Sequence, residues 1–510
     1  HVRLLSALRE PAAAVDEIVV RGAEGYLEQR GDGSWNVEDI MTSDDSENAF
    51  RGKIRIEDSR LTGRMQGKEV KLSEVNGMLD LSSYPAIRTN FAAVSGGTPI
   101  EGSGTLSSDR QILNIELGAA DLMEYIGLLP KDLLPEGVEI QAGRLDYAKA
   151  AILRQYDTLS FSGEAAYEAG KVKVLDTVVE DIHGFASFTD AEVLLSAHAE
   201  ANAQKAYAHG KIRIDLPDPQ LDLKVSSDSF APHEVLAAVP LEGAAAFEAH
   251  VTGTAASPVV DGTVRSDRMS AYGVAAEQIS ARVHYADNMV QISEMKASFL
   301  GGSVSGDAEI LAKDLAYTAH VKAEGLDTSK LGAFLPAAEG VTGRLTADLG
   351  IHGRDTHWEE MQVYGSASVA DGSYRDLPIE RLDTSFFLTR DEAKIDYLSL
   401  QMPNRSSIGL EGSIRIEQDL DLAFYGGHVD LSLLSKLIPQ ADMSGLSDFQ
   451  GSVKGVLSNP QVDIKFSALH GTLFRQPFDS LKAQASGSLD GIGIDDFQME
   501  RNGKNVWQGQ

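Results

Sequence analysis

Gly52-Lys-Ile-Arg-Ile-Glu57, Gly210-Lys-Ile-Arg-Ile-Asp215 and Gly412-Ser-Ile-Arg-Ile-Glu417 are three nearly identical stretches of one 510-residue chain. In each, two isoleucines alternate with polar or charged residues. Side chains on a strand point to opposite faces with a period of two. Each stretch therefore reads as a strand with one apolar face and one wet face. Buried parallel strands read as continuous apolar runs, so the alternation predicts antiparallel pairing.

The same alternation extends outward along the chain. It places Ile54 and Ile56, then Leu113, Ile115 and Leu117, on the apolar face. Ile212, Ile214, Leu221, Leu223 and Val225 follow, then Tyr317 and Val321. Ile408, Leu410, Ile414 and Ile416, and finally Val462, Ile464 and Phe466, complete the set. The predicted class is all-β: an elongated, repetitive antiparallel sheet with a few short helices. A sheet apolar on one side must bury that side. It can pack on a second sheet, close into a barrel, or curl along its length into a groove. An interior of Ile, Leu, Val, Ala and Phe without fixed polar groups suits acyl chains, because each buried methylene is worth about 0.8 kcal/mol without directional demands. These residues are the candidate lipid-binding set.

Four stretches end in proline: Asp121–Pro130, Ser229–Pro240, Asp327–Pro336 and Asp430–Pro439. Each opens on Asp or Ser, which can cap free backbone N–H groups, and each stops where proline removes a donor. They read as short helices, either plugging the groove or crossing between strands. Their spacing marks a repeat of about a hundred residues. The repeats expected are 1–130, 131–240, 241–336 and 337–439, with a partial repeat over 440–510. Gly253-Thr-Ala-Ala-Ser-Pro-Val-Val-Asp261 and Gly455-Val-Leu-Ser-Asn-Pro-Gln-Val-Asp463 share one glycine–proline–aspartate spacing and support the repeat. Asp32-Gly33 reads as a hairpin turn, followed by Ser34-Trp-Asn-Val-Glu-Asp-Ile40.

The formal net charge of -31 disfavours partners with phosphate backbones or anionic membrane surfaces, so no nucleic acid is expected. There is no cysteine, which excludes disulfides, thiolate metal sites and thiol catalysis. No phosphate loop, nucleophile elbow or zinc-binding histidine pair occurs, so no enzyme, metal or cofactor is expected. No apolar run is long enough to span a bilayer, and no signal peptide precedes the first strand pattern. The sequence reads as a piece of a longer protein whose anchor lies outside it.

Asp32-Gly-Ser-Trp-Asn-Val-Glu-Asp-Ile40 is similar to the hairpin near the N-termini of AsmA-like proteins. The two glycine–proline–aspartate turns, Gly301-Gly-Ser-Val-Ser-Gly306 and the turns ending in Leu-Pro or Ile-Pro resemble segments that recur through the TamB family. The resemblance covers nearly the whole chain, with weak motifs in the family's order. It implies a β-taco in the periplasm of a bacterium with two membranes, anchored to the inner membrane in the full-length protein. It implies a bridge-like carrier of glycerophospholipid to the outer membrane. An alternative that the family also implies is help in protein secretion and outer-membrane β-barrel assembly, with a BamA-like partner, TamA.

Overall fold

A computed structural model describes residues 15–28, 30, 36, 50–65, 68–107, 109–125, 138–156, 158–174, 177–201, 204–231, 241–254, 256–271, 274–333, 338–355, 358–375, 377–416, 419–434, 443–488 and 490–509. These residues form 32 strands, with two four-residue α-helices and three short 3-10 turns among them. The chain is all-β, as the alternation requires. It divides into two units: His1–Phe230 with Phe247–Val260, and Ala231–Ala246 with Asp261–Gln510.

In the first unit, antiparallel strands follow one another from Lys53–Met65 to Gln220–Phe230. One edge departs from the antiparallel expectation. Glu17–Arg21 and Glu24–Glu28 both pair parallel with Lys53–Met65. They act as one edge strand broken at Gly22, whose φ is +66°. At the break Ala23 N donates to Ser59 Oγ at 3.1 Å. Chain 29–52 separates them from Lys53, enough for the crossover that parallel pairing needs. The Asp32-Gly33 turn lies outside the described residues. Asn36 of that segment is described, and it clasps the edge: its side chain accepts from Glu28 N and donates to Tyr26 O, both at 3.0 Å.

In the second unit, successive antiparallel strands run from Val274–Ala286 to Lys504–Gly509. Many strands carry a bulge with one residue at positive φ, among them Asp58, Ala169, Glu294 and His428. A bulge frees a carbonyl from the ladder, and a buried hydroxyl takes it up. Ser406 Oγ donates to His428 O at 3.1 Å and accepts from Asp430 N at 3.0 Å. Ser227 Oγ donates to Lys205 O at 2.6 Å beside another register shift.

Three of the four proline-stopped stretches begin with a helical turn: Leu122–Tyr125, Thr328–Ala333 (a 3-10 turn) and Leu431–Leu434. The fourth begins differently, because Ser229 and Phe230 still belong to the strand Gln220–Phe230. Most of the remainder of these stretches, prolines included, lies outside the described residues. Three of the four expected caps form, those of Asp121, Asp327 and Asp430, while Ser229 lies in a strand. Asp121 Oδ1 accepts from Met123 N at 2.9 Å. Asp327 Oδ1 accepts from Ser329 N at 3.1 Å and from its hydroxyl at 2.6 Å. Asp430 does the same with Ser432, at 3.0 and 2.6 Å.

These caps titrate. The Ser329 hydroxyl and N–H hold the Asp327 carboxyl below its usual range. For Asp430, burial raises the value, but Ser432 and the Asn404 amide more than offset this, and it ends lowered. A lowered carboxyl stabilises the fold above its usual pKa, and that contribution is lost as pH falls through the lowered value. Acid is therefore expected to release both turns. The Ser329 and Ser432 amide resonances should titrate with midpoints below that of a free aspartate. A midpoint at or above the free value would refute the capping role.

Candidate functional site

Register connects the apolar positions of neighbouring strands into rows. In the first unit one row runs Val20, Ile56, Gly77, Phe91, Gly102, Ile115, Ala150, Gly163, Phe188, Val193, Ile212, Leu221. Each is the cross-strand partner of the next. In the second unit one row runs Met295, Gly306, Val321, Leu349, Gly365, Phe386, Ile395, Gly412, Leu422, Val453, Val462, Gly487, Ile492. No member of either row is charged or polar. Strand-by-strand alternation has become a continuous apolar face within each unit.

The candidate residues fall on this face. Ile56, Ile115, Ile212 and Leu221 share the first row, and Val321 and Val462 the second. Ile54, Leu113, Leu117 and Leu223 lie two residues along the same strands, and Val225 four residues along, in flanking rows. Leu410 and Ile464 join Leu398, Phe424 and Gly451 in the row next to the second. Ile408 and Phe466 lie one row further, and Ile414 lies on the other side, between Ala393 and Leu420. Tyr317 faces Gly353. Two isoleucines sit past strand ends: Ile214 follows Arg213, and Ile416 stands in a turn after Arg415, 52% exposed. The strand read over Gly412–Glu417 thus stops at Arg415. The hairpin turns there, and Glu417 lies outside the described residues.

Burial distinguishes this face from a closed core. Every candidate residue except Ile416 is half-buried, and none is fully buried. Among the described residues, strands contact chiefly the neighbours they hydrogen-bond. The opposite face carries exposed charge, including His250 to Asp222 at 2.7 Å, His320 to Asp348 at 2.6 Å and Lys394 to Asp396 at 2.9 Å. Hydrogen bonds from His250 and from Lys394 hold the Asp222 and Asp396 carboxyls below their usual range. Exposed pairs of this kind add little stability. They keep one side of a single-layer sheet wet.

Two features of the face escape a strand-by-strand reading. First, aromatic rings lie over glycines of the adjacent strand: Phe91 over Gly102, Phe188 over Gly163, Tyr167 over Gly184, Tyr317 over Gly353, Phe424 over Gly451 and Phe449 over Gly426. In each pair the ring fills the place a Cβ would take. All but Gly353, the penultimate residue of Val341–Arg354, sit in mid-strand, where turn chemistry does not explain them. Second, one margin of the face in the second unit is filled by the protein itself. Leu433 packs with Leu377, Met402 and Val429 against Leu400, Ile408 and Phe449. Leu431 packs with Ala468, Phe478, Leu481 and Met499 against Phe466 and Phe497. Ala323, Leu326 and Ala347 form a third cluster by the turn at Thr328.

No family model, no curated protein and no solved structure matches this chain. Among the described residues no helix is long and apolar enough to cross a membrane.

Proposed function

We propose that the apolar face is a lipid conduit, and that the chain is a section of a periplasmic bridge carrying glycerophospholipids between inner and outer membranes. The observation that carries this reading is the half-burial of long, uncharged rows. A structural rod would close such a face on itself, since leaving it wet forfeits about 25 cal/mol per Å². An enzyme or a specific receptor would place polar groups among the apolar ones to orient a ligand. Rows that repeat Val, Ile, Leu, Phe and Gly offer one position much like the next, so an acyl chain can shift along them without losing its contacts. The resemblance to TamB and AsmA-like proteins adds the compartment, the inner-membrane anchor and the two membranes to be joined.

The reading predicts that the chain, purified in mild detergent, retains phospholipid detectable by mass spectrometry after exhaustive exchange into lipid-free buffer. A chain that emerges without lipid, and takes none from vesicles, would leave the face without its proposed occupant. Faster assembly of outer-membrane barrels by fully delipidated protein would instead favour a chaperone acting with a TamA-like partner.

A further inference from the structure

Resting on that reading, we infer that bound lipid lies in one orientation, with its headgroup at the wet margin where Asp391 and Asp419 lie and never at the margin filled by Leu431 and Leu433. The second unit carries the argument. The strand Leu377–Leu388 begins at a residue only 4% exposed and ends at one 38% exposed. At the first margin Met402 and Val429 are 0% exposed and Leu431 is 2% exposed. Those side chains belong to the clusters built around Leu431 and Leu433. A headgroup there would have to displace a packed core, at a cost typical of core disruption.

The opposite margin is built otherwise. Along the row that borders it, from Val283 through Ile351 and Ile414 to Leu420, only Leu420 is buried. Its turns carry water-exposed polar groups such as Asp391, Asp419 and Asp490. Arg415 reaches Glu392 at 3.4 Å and Asp419 at 3.6 Å there. An amphiphile with acyl chains meets both environments at once: tails along the uncharged rows, headgroup among the wet turns.

The strand Glu392–Met402 supplies an internal comparison, because Asp391 precedes it at the wet margin and Arg405 follows it at the filled one. The native chain has no cysteine, so Asp391→Cys, Arg405→Cys and Leu422→Cys can each be labelled singly with bimane. Each is then loaded from vesicles of phosphatidylcholine carrying a nitroxide on the headgroup or on the acyl chain. The headgroup nitroxide should quench bimane at 391 several-fold more than at 405, and the acyl nitroxide should quench at 422. Acyl quenching at 422 with headgroup quenching equal at both ends, or greater at 405, overturns the orientation alone. Silence at all three positions overturns the lipid reading, and this inference with it.

Discussion

Leu422→Asp is expected to abolish lipid loading while the chain still folds, and Ala423→Asp is expected to leave loading intact. The two positions are adjacent on one strand and face opposite ways. Leu422 is half-buried between Gly412 and Val453 in the long row of the second unit. Ala423 is exposed on the charged face. In the empty protein, water reaches the new carboxylate at 422, so the folding cost stays near about 1–2 kcal/mol. With an acyl chain laid over the row, the same carboxylate must lose its water without gaining a partner. That costs several kcal/mol. A penalty of about 1.4 kcal/mol already means a tenfold loss of affinity. Lipid bound per chain is thus predicted to fall by more than tenfold at 422 and to change little at 423, with urea midpoints of both close to the parent.

The pair separates two accounts of the face. If the rows were closed against another apolar surface, the carboxylate introduced by Leu422→Asp would be buried in the folded state itself. Unfolding and lipid loss would then arrive together, and Ile414→Asp, in the neighbouring row, would behave alike. An open conduit predicts the dissociation of the two effects.

What the sequence could and could not reveal follows from the range of each signal. Alternation is local, so the faces of Ile56, Ile115, Ile212 and Val462 were readable from a few neighbours. Strand direction is not local. Gly52 precedes the strand starting at Lys53, whereas Gly210 and Gly412 lie three residues before the ends of their strands at Arg213 and Arg415. One motif therefore occupies opposite ends of a hairpin arm, which left Ile214 and Ile416 beyond the ladder. The parallel edge at Glu17–Arg21 and Glu24–Glu28 was hidden for the same reason, since a short edge strand alternates identically in either direction. Bulges at Asp58 and His428 use residues other than glycine and leave no composition mark. The pairing of Phe91 with Gly102 did have a signal: an aromatic and a glycine at apolar-face positions of consecutive strands. Reading it requires register, which follows only once the turns are fixed.

Gly412→Val is predicted to be strongly destabilising, by on the order of 3 kcal/mol. Valine is otherwise the natural residue for a mid-strand apolar position, and it would extend the row without adding charge. The obstacle is the backbone. Gly412 has φ of +134°, and a Cβ there would run into the carbonyl oxygen of Asp421, with Leu422 Cα at 2.9 Å. Gly365 (φ +147°) and Gly210 (φ +148°) repeat the arrangement against the carbonyls of Asp348 and Asp222. A row built from ordinary extended residues would stay flatter, and glycine kinks are one way a sheet acquires curvature. Ser413→Val, next in the chain and turned to the other face, is the control and should shift the urea midpoint little. If Gly412→Val unfolds at the same urea concentration as Ser413→Val, the kink has no energetic weight. If it is destabilised as predicted and also loads less lipid than its folded fraction accounts for, the glycines set the shape of the face that holds the acyl chain.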